Sequence, residues 1–196
     1  FKSQDLLFYY NLNNGDISSL KAPKYFNNIY KTKSFLFFSD FDGGVYTING
    51  DDVKSFADFD KTNSQLVNVI EIAQNDFVFI FKNGQVWSKK EAYIKNVATL
   101  ESVVINTAII NKTNELVIGT NQNGVYFFDD QLKPIKNVLD SDGLNSNYVK
   151  RLYEDDQKNL WVISGNEIHQ IRQDNAITFI KKSNTNGQSN GFLLHG

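Results

Sequence analysis

Cysteine is absent from this chain, and so is methionine. Without Cys there is no disulfide scaffold, no Cys-bound zinc, no Fe–S cluster and no thiol nucleophile. The compartment stays open, because envelope proteins can also lack Cys. Proline occurs twice in 196 residues, which is little for a loop-rich domain. Histidine occurs only at His169 and His195. A His-based triad or a multi-His zinc site needs two or three converging groups, so both are read as structural or solvated. Positive charge is not in surplus: 20 Lys and Arg face 22 Asp and Glu, a net charge of -2. A binder of nucleic acid or of an anionic membrane normally carries such a surplus. No apolar run is long enough to span a bilayer. No charged-then-apolar leader opens the chain. With Phe1 first and Met absent, the expectation is a processed or trimmed chain, or an internal piece of a longer protein.

What is present points to strands. The chain is 41% hydrophobic and 14% aromatic, which argues against disorder. Its length suits one compact domain or a piece of a larger repetitive one. Asn accounts for 25 residues, and Asn tolerates left-handed backbone and hydrogen-bonds locally. So many turn formers among Phe, Ile, Val and Tyr predict many short strands.

A repeat organises them. An apolar strand, a short polar turn and a second apolar strand recur four times, the second strands starting at Val45, Val86, Val125 and Ile168, with spacings of 41, 39 and 43. A marker in the preceding strand, Ile29, Ile70, Ile109 and Leu152, gives the same spacings of 41, 39 and 43. Each unit adds a fourth strand, at 53–56, 93–97, 132–138 and 177–180. Four short antiparallel strands in about 41 residues is the arithmetic of a β-propeller blade. Asn-Gly pairs at Asn14-Gly15, Asn49-Gly50, Asn83-Gly84 and Asn123-Gly124 predict type I′ turns, with positive φ at both positions.

The expected fold is therefore all-β: four full blades at 21–60, 61–100, 101–140 and 141–182. Residues 1–20 read as the last two strands of an earlier blade. Residues 183–196, ending in Phe192, Leu193 and Leu194, read as a linker and a possible first strand of the next. A segment of a larger propeller array is favoured over a closed five-bladed ring. An open array leaves apolar blade faces uncovered. Further blades of the parent protein, or a second copy of the chain, are the expected partners.

The fourth unit carries a family signature. It runs Asp142-Gly143-Leu144-Asn145-Ser146-Asn147-Tyr148-Val149, then Leu152-Tyr153-Glu154-Asp155, then Asn159-Leu160-Trp161-Val162-Ile163-Ser164. This resembles the two-component regulator propeller repeat. The third unit matches in part, through Leu116-Val117-Ile118-Gly119-Thr120 and Asn123-Gly124-Val125-Tyr126. The first two units share only the strand pattern. The resemblance implies a periplasmic or cell-surface location, in the sensor region of a hybrid two-component system of Bacteroidetes-type bacteria. There a membrane helix and a histidine kinase follow the propellers, the parent works as a homodimer, and glycan fragments are frequent ligands. It also implies rivals: a structural or interaction propeller of the envelope or of a secretion system and, less favoured, a propeller glycoside hydrolase or lyase.

No catalytic constellation is read from the residues, and neither cofactor nor metal is expected. Direct membrane insertion and nucleic-acid binding are not expected either. Trp87 and Trp161 are read as core. Asp140-Ser141-Asp142 opens like a calcium loop, but Gly is not at the sixth position and Arg151 stands where a bidentate Glu belongs. Asp51-Asp52 and Asp155-Asp156 are read as turn charges, because glycosidase carboxylates must face each other across a cleft. A ligand would meet the loops that join second to third strands and fourth strand to next first strand. On those loops Asp40, Phe41, Asp42, Asn121, Asn123 and Asn145 are the candidate binding residues. Asp and Asn would hydrogen-bond sugar hydroxyls, and Phe41 would stack.

Overall fold

A computed structural model describes residues 6–21, 25–49, 52–57, 59, 62–172 and 177–180. The expected turn at Asn49-Gly50, Asp51 and the tail 183–196, with His195, lie at least partly outside these residues. The chain divides into two compact units, Phe1–Thr99 and Leu100–Gly196.

The first unit contains a two-stranded sheet and two four-stranded ones. The two-stranded sheet pairs β1 (Leu6–Tyr10) with β2 (Ile17–Lys21). The next comprises β3 (Phe26–Lys31), β4 (Leu36–Asp40), β5 (Val45–Asn49) and β6 (Asp52–Ala57). The third comprises β7 (Leu66–Ala73), β8 (Asp76–Phe81), β9 (Gln85–Lys90) and β10 (Tyr93–Thr99). The second unit has two four-stranded sheets. One is β11 (Ile105–Ile110), β12 (Leu116–Thr120), β13 (Val125–Phe128) and β14 (Pro134–Val138). The other is β15 (Val149–Glu154), β16 (Leu160–Ser164), β17 (Glu167–Ile171) and β18 (Ile177–Ile180). In every four-stranded sheet, consecutive strands pair antiparallel in chain order.

The second strands are the most deeply buried. In β8 Phe77 through Phe81 are all buried, and in β12 so are Leu116 through Thr120. Consecutive burial requires cover on both faces of the sheet, which is why these strands are apolar at successive positions. In the first unit that cover is aromatic: Phe37 meets Phe56 at 4.7 Å and Phe59 meets Phe79 at 4.6 Å between ring centroids. Leu7 and Leu20 of the two-stranded sheet pack on Phe26 and Phe38. In the second unit aliphatic side chains do the same work: Val117, Val125, Phe127 and Val138 pack against Val149, Leu152, Leu160 and Val162.

Pairing corrects the repeat register. Ile29 and Leu152 pair with Phe38 and Val162, but the residues equivalent to them in the middle blades are Val69 and Ala108, opposite Phe79 and Ile118. Ile70 and Ile109 sit one position further on. The equal spacings arose because turn lengths compensate between blades. Each first strand carries a bulge at the same place, between Phe26 and Asn28, Leu66 and Asn68, Ile105 and Thr107, and Val149 and Arg151. A bulge inserts an extra residue and bends the strand.

The Asn-Gly turns also differ from the expectation. Only the glycines have positive φ, with Gly15 at 79°, Gly84 at 91° and Gly124 at 65°. At 81–84 the Gly84 N–H donates to the Phe81 carbonyl at 3.2 Å. That is a three-residue connection with a left-handed Gly closing it, and it needs positive φ only once. Residue 132 is not in the fourth strand of its blade, which starts at Pro134; Leu132 turns the chain at φ 59°.

One turn recurs where no Asn-Gly pair is present. The Oδ1 of Asn111, Asp129, Asp155 and Asp40 accepts the N–H two positions on, at 3.1, 2.9, 2.9 and 2.9 Å. It also accepts the N–H four positions on, at 2.7, 2.8, 2.9 and 2.7 Å. The residue three positions on is left-handed in each: Asn114, Leu132, Lys158 and Gly43. A short side-chain acceptor thus takes the place of missing ladder bonds and fixes five residues of turn.

Candidate ligand-binding loop face

In the second unit the loops after β12 and β14 and before β17 lie at one end of the strands. Residues 139–148 are stitched to both neighbouring blades. Asp140–Asp142 make one turn of 3-10 helix, which Gly143 closes at φ 115°. Leu144 then drops into the core between the two sheets. Asn147 ties the loop twice: its Oδ1 accepts the Asp140 N–H at 2.8 Å, and its carbonyl accepts the Gly124 N–H at 3.0 Å. Ser146 N–H donates to Ser164 Oγ at 3.1 Å, and the Ser164 hydroxyl donates back to the Ser146 carbonyl. Gly165 N–H donates to the Tyr148 carbonyl at 2.8 Å.

His169 lies beneath this loop, 1% exposed. Its Nε2 accepts the Asn145 N–H at 3.2 Å. Burial pushes its pKa below the ordinary value, against the pull of the Glu167 charge. A neutral imidazole is what an accepting Nε2 requires.

Above the loop is a depression of about 550 Å³ lined by Asn121, Gln122, Asp140, Asn145, Ser146, Asn147 and Tyr148. Asn121 and Asn145, two of the residues expected from the sequence, meet here. Asn121 is anchored by its N–H on the Val104 carbonyl at 2.8 Å. Among the described residues neither the Asn121 nor the Asn145 side-chain amide has a hydrogen-bond partner. The lining holds amides, hydroxyls, one carboxylate and the exposed ring of Tyr148, with Lys150 Nζ 5.7 Å from the centroid of that ring. Sequence reasoning missed Gln122, Asp140, Ser146, Asn147 and Tyr148 as lining residues.

The other candidates are placed differently. Asn123 does not line the depression, and its N–H donates to Thr120 Oγ1 at 2.9 Å. Asp40, Phe41 and Asp42 belong to the first unit. Asp40 is 2% exposed and serves its own turn; its Oδ2 also accepts the Tyr46 hydroxyl at 2.9 Å. Burial, together with that hydrogen bond and the Asp40 and Asp42 charges, pushes the Tyr46 pKa up to about 12. Phe41 is 55% exposed at the tip of the turn. Asp42 is exposed, and its N–H is held by Asp40.

Trp87 is half-buried and packs against the aromatic cluster of the first unit. Trp161 departs from the core expectation. It is half-buried, its Nε1–H donates to Asp155 Oδ2 at 2.8 Å, and it faces a shallow groove with Tyr153, Ile163 and Ile168. Asp155 is the turn acceptor already described. Desolvation works against its ionisation, yet the bonds from Asn159, Trp161 and Gln157 hold its carboxyl below the usual range. Among the described residues no group of three or more His, Asp or Glu is placed to hold a metal ion. No helix among them is long and apolar enough to cross a membrane.

The residues that build the loop and its turn are the ones a family model recognises. Residues 143–166 match the two component regulator propeller. Over this stretch the chain is similar to a two-component regulator propeller repeat. Within that repeat Gly143 ends the 3-10 turn, Leu144 fills the inter-blade core, Asn147 joins successive blades, and Asp155 holds both its turn and Trp161. The matching positions are therefore blade-locking chemistry.

Solved structures agree on the fold, that of β-propeller blades. Virginiamycin B lyase from Staphylococcus aureus superposes with a TM-score of 0.74 at 15% identity, over 93% of this chain and 64% of that one. The extracellular domain of BT4673 from B. thetaiotaomicron, assigned to the hybrid two component systems, gives 0.65 at 17% identity, over 90% of this chain and 25% of that one. PorZ, a surface component of the type-IX secretion system of Porphyromonas gingivalis, gives 0.59 at 13% identity, over 88% and 28%. The chain thus spans under two thirds of the lyase and about a quarter of the sensor domain. No curated protein matches it in sequence.

Proposed function

We propose that this propeller repeat segment is a non-catalytic part of the extracytoplasmic sensor region of a hybrid two-component regulator. It takes a neutral glycan fragment at the depression around Asn121 and Asn145. The observation that carries the reading is the repeat at 143–166. The lining supports the ligand class, since amides and hydroxyls match sugar hydroxyls and an exposed tyrosine offers a stacking face. Binding that favours one packing of the propellers would bias a signalling dimer across the membrane.

The groove beside Trp161 supports a larger assembly. Tyr153 is 65% and Ile163 36% exposed on that face of β15–β18. A blade buries both faces when it has two neighbours, so a further blade of the parent, or a second copy of the chain, is the expected cover. The likeness to PorZ supports a second reading, an interaction propeller of the bacterial surface. The lyase reading has less support. The neighbouring lyase is inactivated by replacing one histidine, whereas the His described here is buried beneath a loop and engaged by Asn145.

Titrating the full chain calorimetrically against a panel of neutral oligosaccharides tests the site. Asn121→Ala and Asn145→Ala are expected to abolish binding, and Asp40→Ala to preserve it. No heat with any oligosaccharide sinks the ligand assignment. Reading the gene beyond Gly196 tests the context: a membrane helix and a histidine kinase are expected, and a sorting domain instead favours the second reading.

A further inference from the structure

At the other end of the strands, in the same unit, is a second hollow of about 530 Å³. Its floor is apolar, formed by the buried Phe127, Leu160 and Ile171, with Ile135 at the rim. Three cations border it: Lys136, Lys158 and Arg172. Two carboxylates do as well, Glu115 and Glu154, but both are occupied. Glu115 Oε2 accepts Asn111 Nδ2 at 2.6 Å and Thr113 Oγ1 at 3.0 Å. Glu154 Oε2 accepts the Lys112 N–H at 2.7 Å. These carboxylates brace the turns that form the wall. The cations are used differently. Lys136 Nζ lies 4.2 Å from the centroid of the Phe127 ring, over the floor itself. Lys158 projects from the left-handed position of the Asp155 turn, at φ 64°. Among the described residues the side chains of Lys158 and Arg172 make neither an ion pair nor a hydrogen bond, although the Lys158 backbone N–H donates to the Asp155 carbonyl at 3.1 Å.

Like charges gathered around one apolar hollow repel each other, and no side-chain contact among the described residues holds the Lys158 and Arg172 cations there. We infer that the hollow binds an amphiphilic anion. The apolar body lies on Phe127, Leu160 and Ile171, and a carboxylate, phosphate or sulfate is held by Lys158 and Arg172. Arg is suited to this because its planar fork meets two oxygens at once. A free aromatic or aliphatic acid and the C-terminus of an apolar peptide share this chemistry. The inference is independent of the glycan reading, because the hollow and the loop-face depression share no lining residue.

Naphthalene-2-sulfonate and naphthalene-2-methanol, titrated into the full chain at low salt, separate charge from apolar contact. The sulfonate is expected to bind and the alcohol to bind far more weakly. The double variant Lys158→Gln, Arg172→Gln is expected to weaken the sulfonate about tenfold, as for two solvent-edge charge contacts. Ile163→Asp, on the separate groove beside Trp161, is expected to leave it unchanged. An acetylated Leu-Phe dipeptide, with a free or an amidated C-terminus, reports the source: preference for the free acid over both its amide and the sulfonate makes it a peptide terminus. Equal affinity for sulfonate and alcohol, an unaltered double variant, or loss of binding in Ile163→Asp each overturns the inference.

Discussion

Replacing Asp40 by Ala removes one acceptor from three donors at a single turn. Its Oδ1 takes the N–H groups of Asp42 at 2.9 Å and Gly44 at 2.7 Å, and its Oδ2 takes the Tyr46 hydroxyl at 2.9 Å. Hydrogen bonds to a charged acceptor contribute about 1.5–3 kcal/mol each, and water recovers part of this at a turn. The expected loss is about 2–4 kcal/mol, or roughly 5–15 °C in Tm for a chain of this size. Asp40→Asn keeps the Oδ1 acceptor, and its expected loss is about 1 kcal/mol. Urea unfolding at constant m value measures both. Tyr46 supplies a second readout. Its folded pKa, about 12 against an ordinary 10.0, is raised first by burial and then by Asp40. A raised pKa means that the native fold prefers the neutral phenol. That preference stabilises the native state below pH 10 and is lost as pH rises through about 12. In Asp40→Ala the phenol is expected to titrate lower, though still above 10.0 because burial and Asp42 remain. The variant then loses less stability than the parent over that window. A urea midpoint unchanged in Asp40→Ala, with an unchanged phenolate titration, would refute the account of this turn.

Gly124→Ala forces a Cβ to 2.0 Å from the Val138 carbonyl oxygen at φ 65°, so a loss of about 2–4 kcal/mol is expected in thermal melts. Gly15→Ala, whose Cβ would meet only the Tyr10 hydroxyl at 3.7 Å, is expected to cost about 1 kcal/mol. His169 titrates below its ordinary 6.5, so its contribution is present above pH 6.5 and is lost as pH falls. His169→Gln is expected to flatten the stability profile below pH 6.5, measured as the difference from the parent in acid unfolding. Asp155→Ala frees the Trp161 indole, so a shift in tryptophan emission is expected before any change in global unfolding. Ile163→Asp, at the groove beside Trp161, is expected to reduce self-association in light scattering at high concentration.

The strand count was legible because burial on two faces demands apolar residues at consecutive positions, and β8 and β12 show this plainly. The fourth blade's loop was legible too, since Gly143, Leu144, Asn147 and Asp155 each have a backbone or packing duty that few other residues can perform. The exact register was not. Ile70 and Ile109 were plausible partners, but the middle blades carry one more residue between first and third strands, so Val69 and Ala108 take those places, and periodicity alone does not locate a one-residue change in turn length. The Asn-Gly turns were misjudged for a related reason, because turn type follows loop length and strand twist as much as the dipeptide. Asp40 read as a candidate ligand group because nothing in the sequence says where a carboxylate points.

The sequence by itself determined the local chemistry of this protein: strand-forming runs, turn formers, a repeat of about 41 residues, and no cysteine or surplus of positive charge. Those properties depend on residues near one another in the chain. Tertiary structure decided which polar groups are consumed by the fold and which are not. Asp40 went to its turn and Asn147 to joining blades, while the Asn121 and Asn145 amides, 24 positions apart, meet at one depression with no hydrogen-bond partner among the described residues. The meeting of Lys136, Lys158 and Arg172 over an apolar floor was decided there as well. Convergence of this kind depends on how one sheet packs on the next, and that packing is set by contacts between residues far apart in sequence.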